Sequence, residues 1–217
     1  MDTKEEILSE LARLYPDAKP ALLYKTPYEL LVAVILSAQC TDERVNKVTD
    51  VLFREHNTPQ AMLSLSQEEL ETYIFSCGFY HNKAAHILSA SRDILERFGG
   101  EVPSTREELE TLAGVGRKTA NVVYAVAFGG NAIAVDTHVF RVSNRLGLAP
   151  GKTPFEVEKG LMQAIPEELW SSAHHWLIWH GRKVCHSQKP ACDACTLAPY
   201  CPYFAKTKGG LRAENAP

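Results

Sequence analysis

Leu112-Ala113-Gly114-Val115-Gly116-Arg117-Lys118-Thr119-Ala120 sets two glycines one residue apart, directly before a run that reads as a helix start. Few backbones satisfy this pattern. Gly114 and Gly116 permit positive φ angles and close backbone approach, so the chain can turn tightly here. Amides left unpaired by a tight turn at a helix N-terminus bind anions, most commonly phosphate. The turn can therefore hold a nucleic-acid backbone while Lys118 reaches the sugar beside it. A lysine stripped of water near another cation loses proton affinity and becomes a nucleophile. Arg117 is such a neighbour in sequence. Taken alone, the segment reads equally well as an ordinary interhelical turn with a solvated lysine.

The flanking sequence is helical in its punctuation. Ile7, Leu8, Leu11 and Leu14 fall on one helical face, and Tyr28 to Ala38 is apolar all round, as in a helix buried inside a domain. Thr58-Pro59 reads as an N-cap followed by proline at the first helical position. Ser66-Gln67-Glu68-Glu69 and Ser104-Thr105-Arg106-Glu107 fit the capping box, and Thr153-Pro154-Phe155-Glu156 opens another helix. Gly99-Gly100 and Gly129-Gly130 read as helix stops, and Gly181 as the end of the segment carrying Trp170, Trp176 and Trp179. Only Ile133-Ala134-Val135 has strand character, and that is too short to define a sheet. The expected class is all-α, with about ten helices. Around the glycines the pattern is two helices, Glu107 to Leu112 and Arg117 to Phe128, joined by a hairpin. This is a helix-hairpin-helix, which binds DNA through phosphate contacts that fix position without reading sequence.

The chain has 217 residues, 45% hydrophobic and 23% charged, which suits one large or two small globular domains. The start, Met1-Asp2-Thr3-Lys4-Glu5-Glu6, is charged, with no signal-type apolar stretch behind it. The longest apolar run, Leu30 to Leu36, is far too short to span a bilayer. A soluble intracellular protein is expected. Net charge is −3, so total charge does not announce a nucleic-acid binder. Leu112 to Lys189 nevertheless holds nine Lys or Arg against five Asp or Glu, which allows a one-sided basic face.

Cys185, Cys192, Cys195 and Cys201 follow the spacing Cys-x6-Cys-x2-Cys-x5-Cys. Four thiols in so short a polar, proline-bearing segment cannot all face a hydrophobic core. Paired disulfides suit small secreted proteins, and nothing here indicates secretion. A four-thiolate metal site is expected. Zinc favours two Cys-x2-Cys knuckles and only one pair has that spacing, which sets an iron–sulfur cluster slightly ahead of zinc. Cys40 and Cys77 read as small buried hydrophobes. His174 and His175 are adjacent on a helix and cannot chelate from one face; with His180 they read as packing or hydrogen-bonding residues. His138 stands apart, two residues after Asp136.

The hairpin, the segment Ala134-Val135-Asp136-Thr137-His138-Val139-Phe140-Arg141 and the four-cysteine loop together resemble the endonuclease III family. These are helix-hairpin-helix DNA glycosylases with a Gly/Pro-rich loop and a downstream aspartate. The resemblance runs from Pro27 to Cys201 and includes Leu36-Ser37-Ala38-Gln39, Thr41-Asp42, His174-His175-Trp176-Leu177 and Gly181-Arg182. It implies two helical lobes flanking a DNA-binding cleft. One lobe is a six-helix barrel over 21–131, with the hairpin motif at about 107–128. The other is a cluster domain built from 1–20 and 132–217 and carrying a [4Fe-4S] cluster on the four cysteines. The implied substrate is double-stranded DNA with oxidised or saturated pyrimidines or abasic sites. The damaged nucleotide must be flipped out before C1′ can be reached.

The resemblance also assigns roles. Lys118 would attack C1′, displace the base and form a Schiff base, and β-elimination would then cut the strand on the 3′ side. Asp136 would assist lysine deprotonation and stabilise positive charge on the sugar; as a plain structural residue it reads as the N-cap before Thr137. Gln39 would enter the gap left by the flipped nucleotide, and Phe79 takes the place of the family's wedge, commonly leucine. Gly114, Gly116, Arg117, His138 and Lys189 complete the expected DNA contacts, and Ser37, Asp42 and Glu110 match weaker cleft positions. Two departures stand out. Ala113 replaces the usual hairpin proline, and the loop His186-Ser187-Gln188-Lys189-Pro190-Ala191 has fewer arginines than the family often shows, leaving its phosphate grip mainly to Lys189. The protein is expected to act as a cytoplasmic, nucleoid-associated monomer. An adenine-mismatch glycosylase generally lacks the hairpin lysine and carries a further C-terminal domain. A non-catalytic DNA clamp would not need Lys118 with Asp136.

Overall fold

Residues 2–213 are described in the computed structural model, and among them the chain is helical throughout, without strands. Twelve α-helices follow one another: α1 Thr3–Leu14, α2 Pro27–Leu36, α3 Asp42–Leu52, α4 Pro59–Met62, α5 Gln67–Ile74, α6 Tyr80–Phe98, α7 Arg106–Leu109, α8 Arg117–Phe128, α9 Thr137–Leu146, α10 Pro154–Ala164, α11 Trp170–Lys183 and α12 Pro202–Ala213. The chain divides into two units, Pro20–Gly130 and the pair Met1–Lys19 with Asn131–Pro217.

The first unit is organised around α2. Thr26 caps it, its Oγ1 accepting from the Glu29 amide at 3.1 Å, and Pro27 takes the first position, where no amide partner is needed. Every residue from Tyr28 to Leu36 is buried, against α8, α3 and α6. Each buried Leu, Ile or Val contributes roughly 1.5–3 kcal/mol relative to exposure, so this helix is a main source of the unit's stability. The Tyr28 hydroxyl lies 2.6 Å from Ser91 Oγ and so does not enter the core without a partner. Ser66 and Glu69 form the expected capping box of α5, and Gly99 and Gly129 close α6 and α8 in the left-handed conformation.

The first helix of the hairpin is shorter than its sequence suggested. α7 ends at Leu109, and Thr111 and Leu112 bond back three residues, to Glu108 and Leu109, tightening the chain into the turn. Its cap is also one residue later than expected. Thr105, not Ser104, accepts from the Glu108 amide at 3.3 Å and donates to Glu108 Oε2 at 2.7 Å.

In the second unit, Ile7, Leu8 and Leu11 of α1 share a core with Val139 and Val142 of α9, Val157 and Leu161 of α10, and Trp176 and Leu177 of α11. Ala132 to Val135 are buried but irregular, so the short apolar run is a core-filling linker and not a strand. α11 continues through Gly181 to Lys183. Gly181 is not a stop: it is a contact point, and an added Cβ would lie 3.0 Å from His138 Cβ. Thr153 and Glu156 form the expected capping box of α10.

Candidate nucleic-acid interface and metal centre

Gly114 is the hinge of the hairpin, with φ +75°. Val115 donates back to the Leu112 carbonyl at 3.1 Å and buries its side chain, pinning the turn to the core. Gly116 does not use the positive φ open to glycine. Its φ of −90° and ψ of 176° are ordinary extended backbone, where it caps α8 without a side chain. Nothing lies within 4 Å of where its Cβ would be, so the surface beside it is open to a close-approaching group. Arg117 and Lys118 are the first two residues of α8, and both are exposed. The positive end of the α8 dipole thus meets a lysine and an arginine on one surface, an arrangement that attracts phosphate.

Only three non-glycine residues among those described have positive φ: Gln39 (53°), Phe79 (50°) and Lys189 (48°). All three are positions that sequence resemblance assigns to DNA contact. Left-handed backbone costs a non-glycine residue on the order of 1–3 kcal/mol, so it persists where surroundings enforce it. Phe79 is 63% exposed, so its ring stands outside the core. Gln39 and Lys189 are exposed as well. Within the first unit, one side chain connects the Gln39 and Phe79 turns. Lys83, buried on α6, donates to carbonyls of both loops, at Leu36, Ala38 and Cys77. Sequence reasoning passed over it. The available signal was a lysine in the apolar stripe Ala84, Ile87, Ala90, Ile94.

Asp136 does cap a helix. Its Oδ1 accepts from the His138 and Val139 amides, both at 2.8 Å, which fixes the carboxylate at the start of α9 and leaves Oδ2 outside the cap. Arg141 Nη2 lies 3.2 Å from His138 Nδ1. A guanidinium only donates, so Nδ1 accepts and the ring proton sits on Nε2. Burial first, and the Arg141 and Arg182 charges after it, hold His138 below the ordinary histidine pKa, against the opposing pull of Asp136. His174, His175 and His180 are hydrogen-bonded, to the Ala134 carbonyl, the Ser171 carbonyl and the Tyr15 hydroxyl.

Cys185, Cys192, Cys195 and Cys201 line one recess, walled by apolar residues including Leu146, Val184 and Phe204 and by His180. Arg145 reaches this loop from α9. Its Nη1 contacts Cys185 Sγ at 3.4 Å and donates to the His186 carbonyl at 2.6 Å, while Nη2 donates to the Ser187 carbonyl at 3.1 Å. Arg141 Nε donates to the Cys185 carbonyl at 3.0 Å. These two arginines had no signal in the cysteine spacing, because they come from another helix. Yet no three His, Cys, Asp or Glu side chains among the described residues gather closely enough to hold a single ion. Four thiols around one apolar recess, with the Arg145 guanidinium beside them, are the donor set of a thiolate-held metal group. Burial and neighbouring thiols raise the pKa of Cys192 and Cys195, so loading the site releases protons. In the first unit, Cys77 is buried and Cys40 packs partly against the core.

Known proteins agree with this layout. Residues 32–167 match the HhH-GPD superfamily of base excision DNA repair proteins. Endonuclease III of Haemophilus influenzae is 50% identical over 203 residues, covering 94% of this chain and 96% of that one. Endonuclease III of Escherichia coli is 49% identical over 201 residues, covering 93% and 95%. A solved structure of a trapped endonuclease III–DNA covalent intermediate superposes with a TM-score of 0.91 at 50% identity, covering 96% of this chain and all of that one. A non-covalent endonuclease III–DNA complex gives the same TM-score at 49% identity and the same coverage. With the hairpin, the capped aspartate and the cysteine recess in place, the chain belongs to the endonuclease III family of base excision DNA repair enzymes, DNA glycosylases that also act as abasic-site lyases.

Proposed function

We propose that this enzyme removes oxidised or saturated pyrimidines from double-stranded DNA and cleaves the resulting abasic sites, working as a cytoplasmic monomer on nucleoid DNA. The carrying observation is Lys118, exposed one residue inside the α8 N-terminus behind the Gly114 turn. The open Gly116 surface and the first-turn amides grip a phosphate, and Arg117 adds charge. Lys118 Nζ forms a bond to C1′ as the C1′–N bond breaks and the base leaves with the electron pair and a proton. Ring opening gives the Schiff base. Loss of a C2′ proton then expels the 3′ phosphate, which cuts the strand by β-elimination.

Asp136 assists lysine deprotonation and stabilises positive charge on the sugar, its cap holding the carboxylate rigid. His138 and Lys189 contact the backbone. Gln39 and Phe79 fill the gap left by the extruded nucleotide, with the exposed Phe79 ring stacking on a neighbouring base for roughly 1–3 kcal/mol. The four cysteines hold a [4Fe-4S] cluster, whose metal–thiolate bonds tie down a C-terminal segment too short to form its own core. No helix among the described residues is long and apolar enough to cross a membrane. A lesion panel scored separately for base release and strand nicking tests the reading. Lys118→Gln loses both on every lesion. Retained nicking at wild-type rate refutes it.

A further inference from the structure

Lys83 faces the core of α6 and is only 5% exposed. A buried ammonium persists where its three N–H groups find acceptors. All three do, at the carbonyls of Leu36 (2.8 Å), Ala38 (2.7 Å) and Cys77 (2.9 Å). Leu36 is the last residue of α2, so the charge also sits at the negative end of that helix. These acceptors belong to two separate loops. Leu36 and Ala38 lead into Gln39, and Cys77 leads through Gly78 into Phe79. The Lys83 amide donates to the Phe79 carbonyl as well, at 3.1 Å, starting α6. One residue therefore bonds the backbone on the approach to both left-handed positions.

We propose that Lys83 is a positioning residue, whose ammonium clamps the Gln39 and Phe79 loops so that both side chains stand preset to enter the space vacated by an extruded nucleotide. The role depends on Gln39 and Phe79 being the gap-filling pair. Groups ordered before binding need not be ordered at the moment of binding, so the clamp raises affinity for the extruded state. It does so without touching the chemistry at Lys118.

Lys83→Met keeps an apolar stem of similar length and removes all three donors. It is compared with the parent, and with the Gln39→Ala/Phe79→Ala variant carrying or lacking the same change. Affinity is measured for duplex DNA with a reduced abasic-site analogue, and extrusion is followed by 2-aminopurine fluorescence. Borohydride capture on a single-stranded abasic oligonucleotide reads the chemistry where no nucleotide must leave a stack. The expected loss of duplex affinity is about tenfold to a hundredfold. Single-strand capture stays within about twofold, and Lys83→Met adds nothing in the Gln39→Ala/Phe79→Ala background. Equal losses in both backgrounds, or equal losses on duplex and single strand, overturn the positioning role. If Gln39→Ala/Phe79→Ala loses duplex affinity while Lys83→Met does not, the role of Lys83 alone falls. If Gln39→Ala/Phe79→Ala binds like the parent, the gap-filling reading itself fails. Should Lys83→Met lack a cooperative melt, Lys83→Gln, which retains two donors, replaces it in the same comparison.

Discussion

Alanine at Gly114 and at Gly116 produces opposite defects, although the two glycines stand one residue apart. At Gly114 the backbone is left-handed, with φ +75°, and an added Cβ meets His86 Cβ at 2.8 Å and its Cγ and Nδ1 at 3.0 Å. Holding alanine left-handed costs about 1–2 kcal/mol. The overlap involves a Cβ fixed to α6 and not a mobile side-chain tip, so relief needs backbone movement, costing about 1–3 kcal/mol more. The sum, about 2–5 kcal/mol, lowers the melting temperature by roughly 5–15 °C in a chain of this size. At Gly116 the backbone suits alanine and nothing lies within 4 Å. Gly116→Ala then costs about 0.5–1 kcal/mol as a poorer N-cap. Its Cβ, however, projects into the open surface where a phosphate approaches, and duplex affinity falls about tenfold with a shallower salt dependence. Thermal melts and salt-titrated DNA binding of both variants provide the assay. A Gly114→Ala melt matching the parent, or a Gly116→Ala variant with parental affinity, refutes the division of labour.

Three further outcomes are expected. Asp136→Ala loses the cap of α9 and about 1–2 kcal/mol of stability, whereas Asp136→Asn keeps stability within a few tenths and still loses base release; equal activity in Asp136→Asn and parent, by single-turnover assay, contradicts the carboxylate's role. Cys195→Ser removes one thiolate from the recess, so purified protein loses its visible iron–sulfur absorption and becomes easier to cleave by protease near residues 185–201; a colourless, zinc-loaded parent sinks the cluster assignment. Burial holds the His175 imidazole below the ordinary histidine pKa. Unfolded chains therefore take up a proton near pH 6.5 that folded ones do not, and stability falls as the pH drops below about 6.5. His175→Gln flattens that decline in melts between pH 7 and 5.5, and an unchanged slope rejects the burial argument.

What could be read from the sequence was local. Ser66 with Glu69, Thr153 with Glu156, and Thr26 ahead of Pro27 carry their own hydrogen-bond partners within one turn, so spacing alone reveals them. The apolar run of α2 needs no partner to announce its burial. The hairpin was legible as a motif, but the different tasks of its glycines were not, because the left-handed backbone of Gly114 and its contact with His86 on α6 separate them. Gly181 was misread as a stop for the same reason: its lack of a side chain serves packing against His138, from another helix. Thr105 displaced Ser104 as the cap because two adjacent hydroxyl residues compete and only the tertiary path of the chain selects one. Lys83, Arg141 and Arg145 act across 40 or more residues of sequence, or join two loops, and no short pattern encodes such reach.

The central claim is that the Lys118 amine becomes covalently joined to deoxyribose during turnover. Borohydride reduction during reaction with a duplex bearing an oxidised pyrimidine, followed by proteolysis and mass spectrometry of the cross-linked peptide, measures this directly. The account predicts a stable protein–DNA adduct mapped to residue 118 and absent from Lys118→Gln. An adduct on another side chain, or strand cleavage with no reducible intermediate, contradicts it.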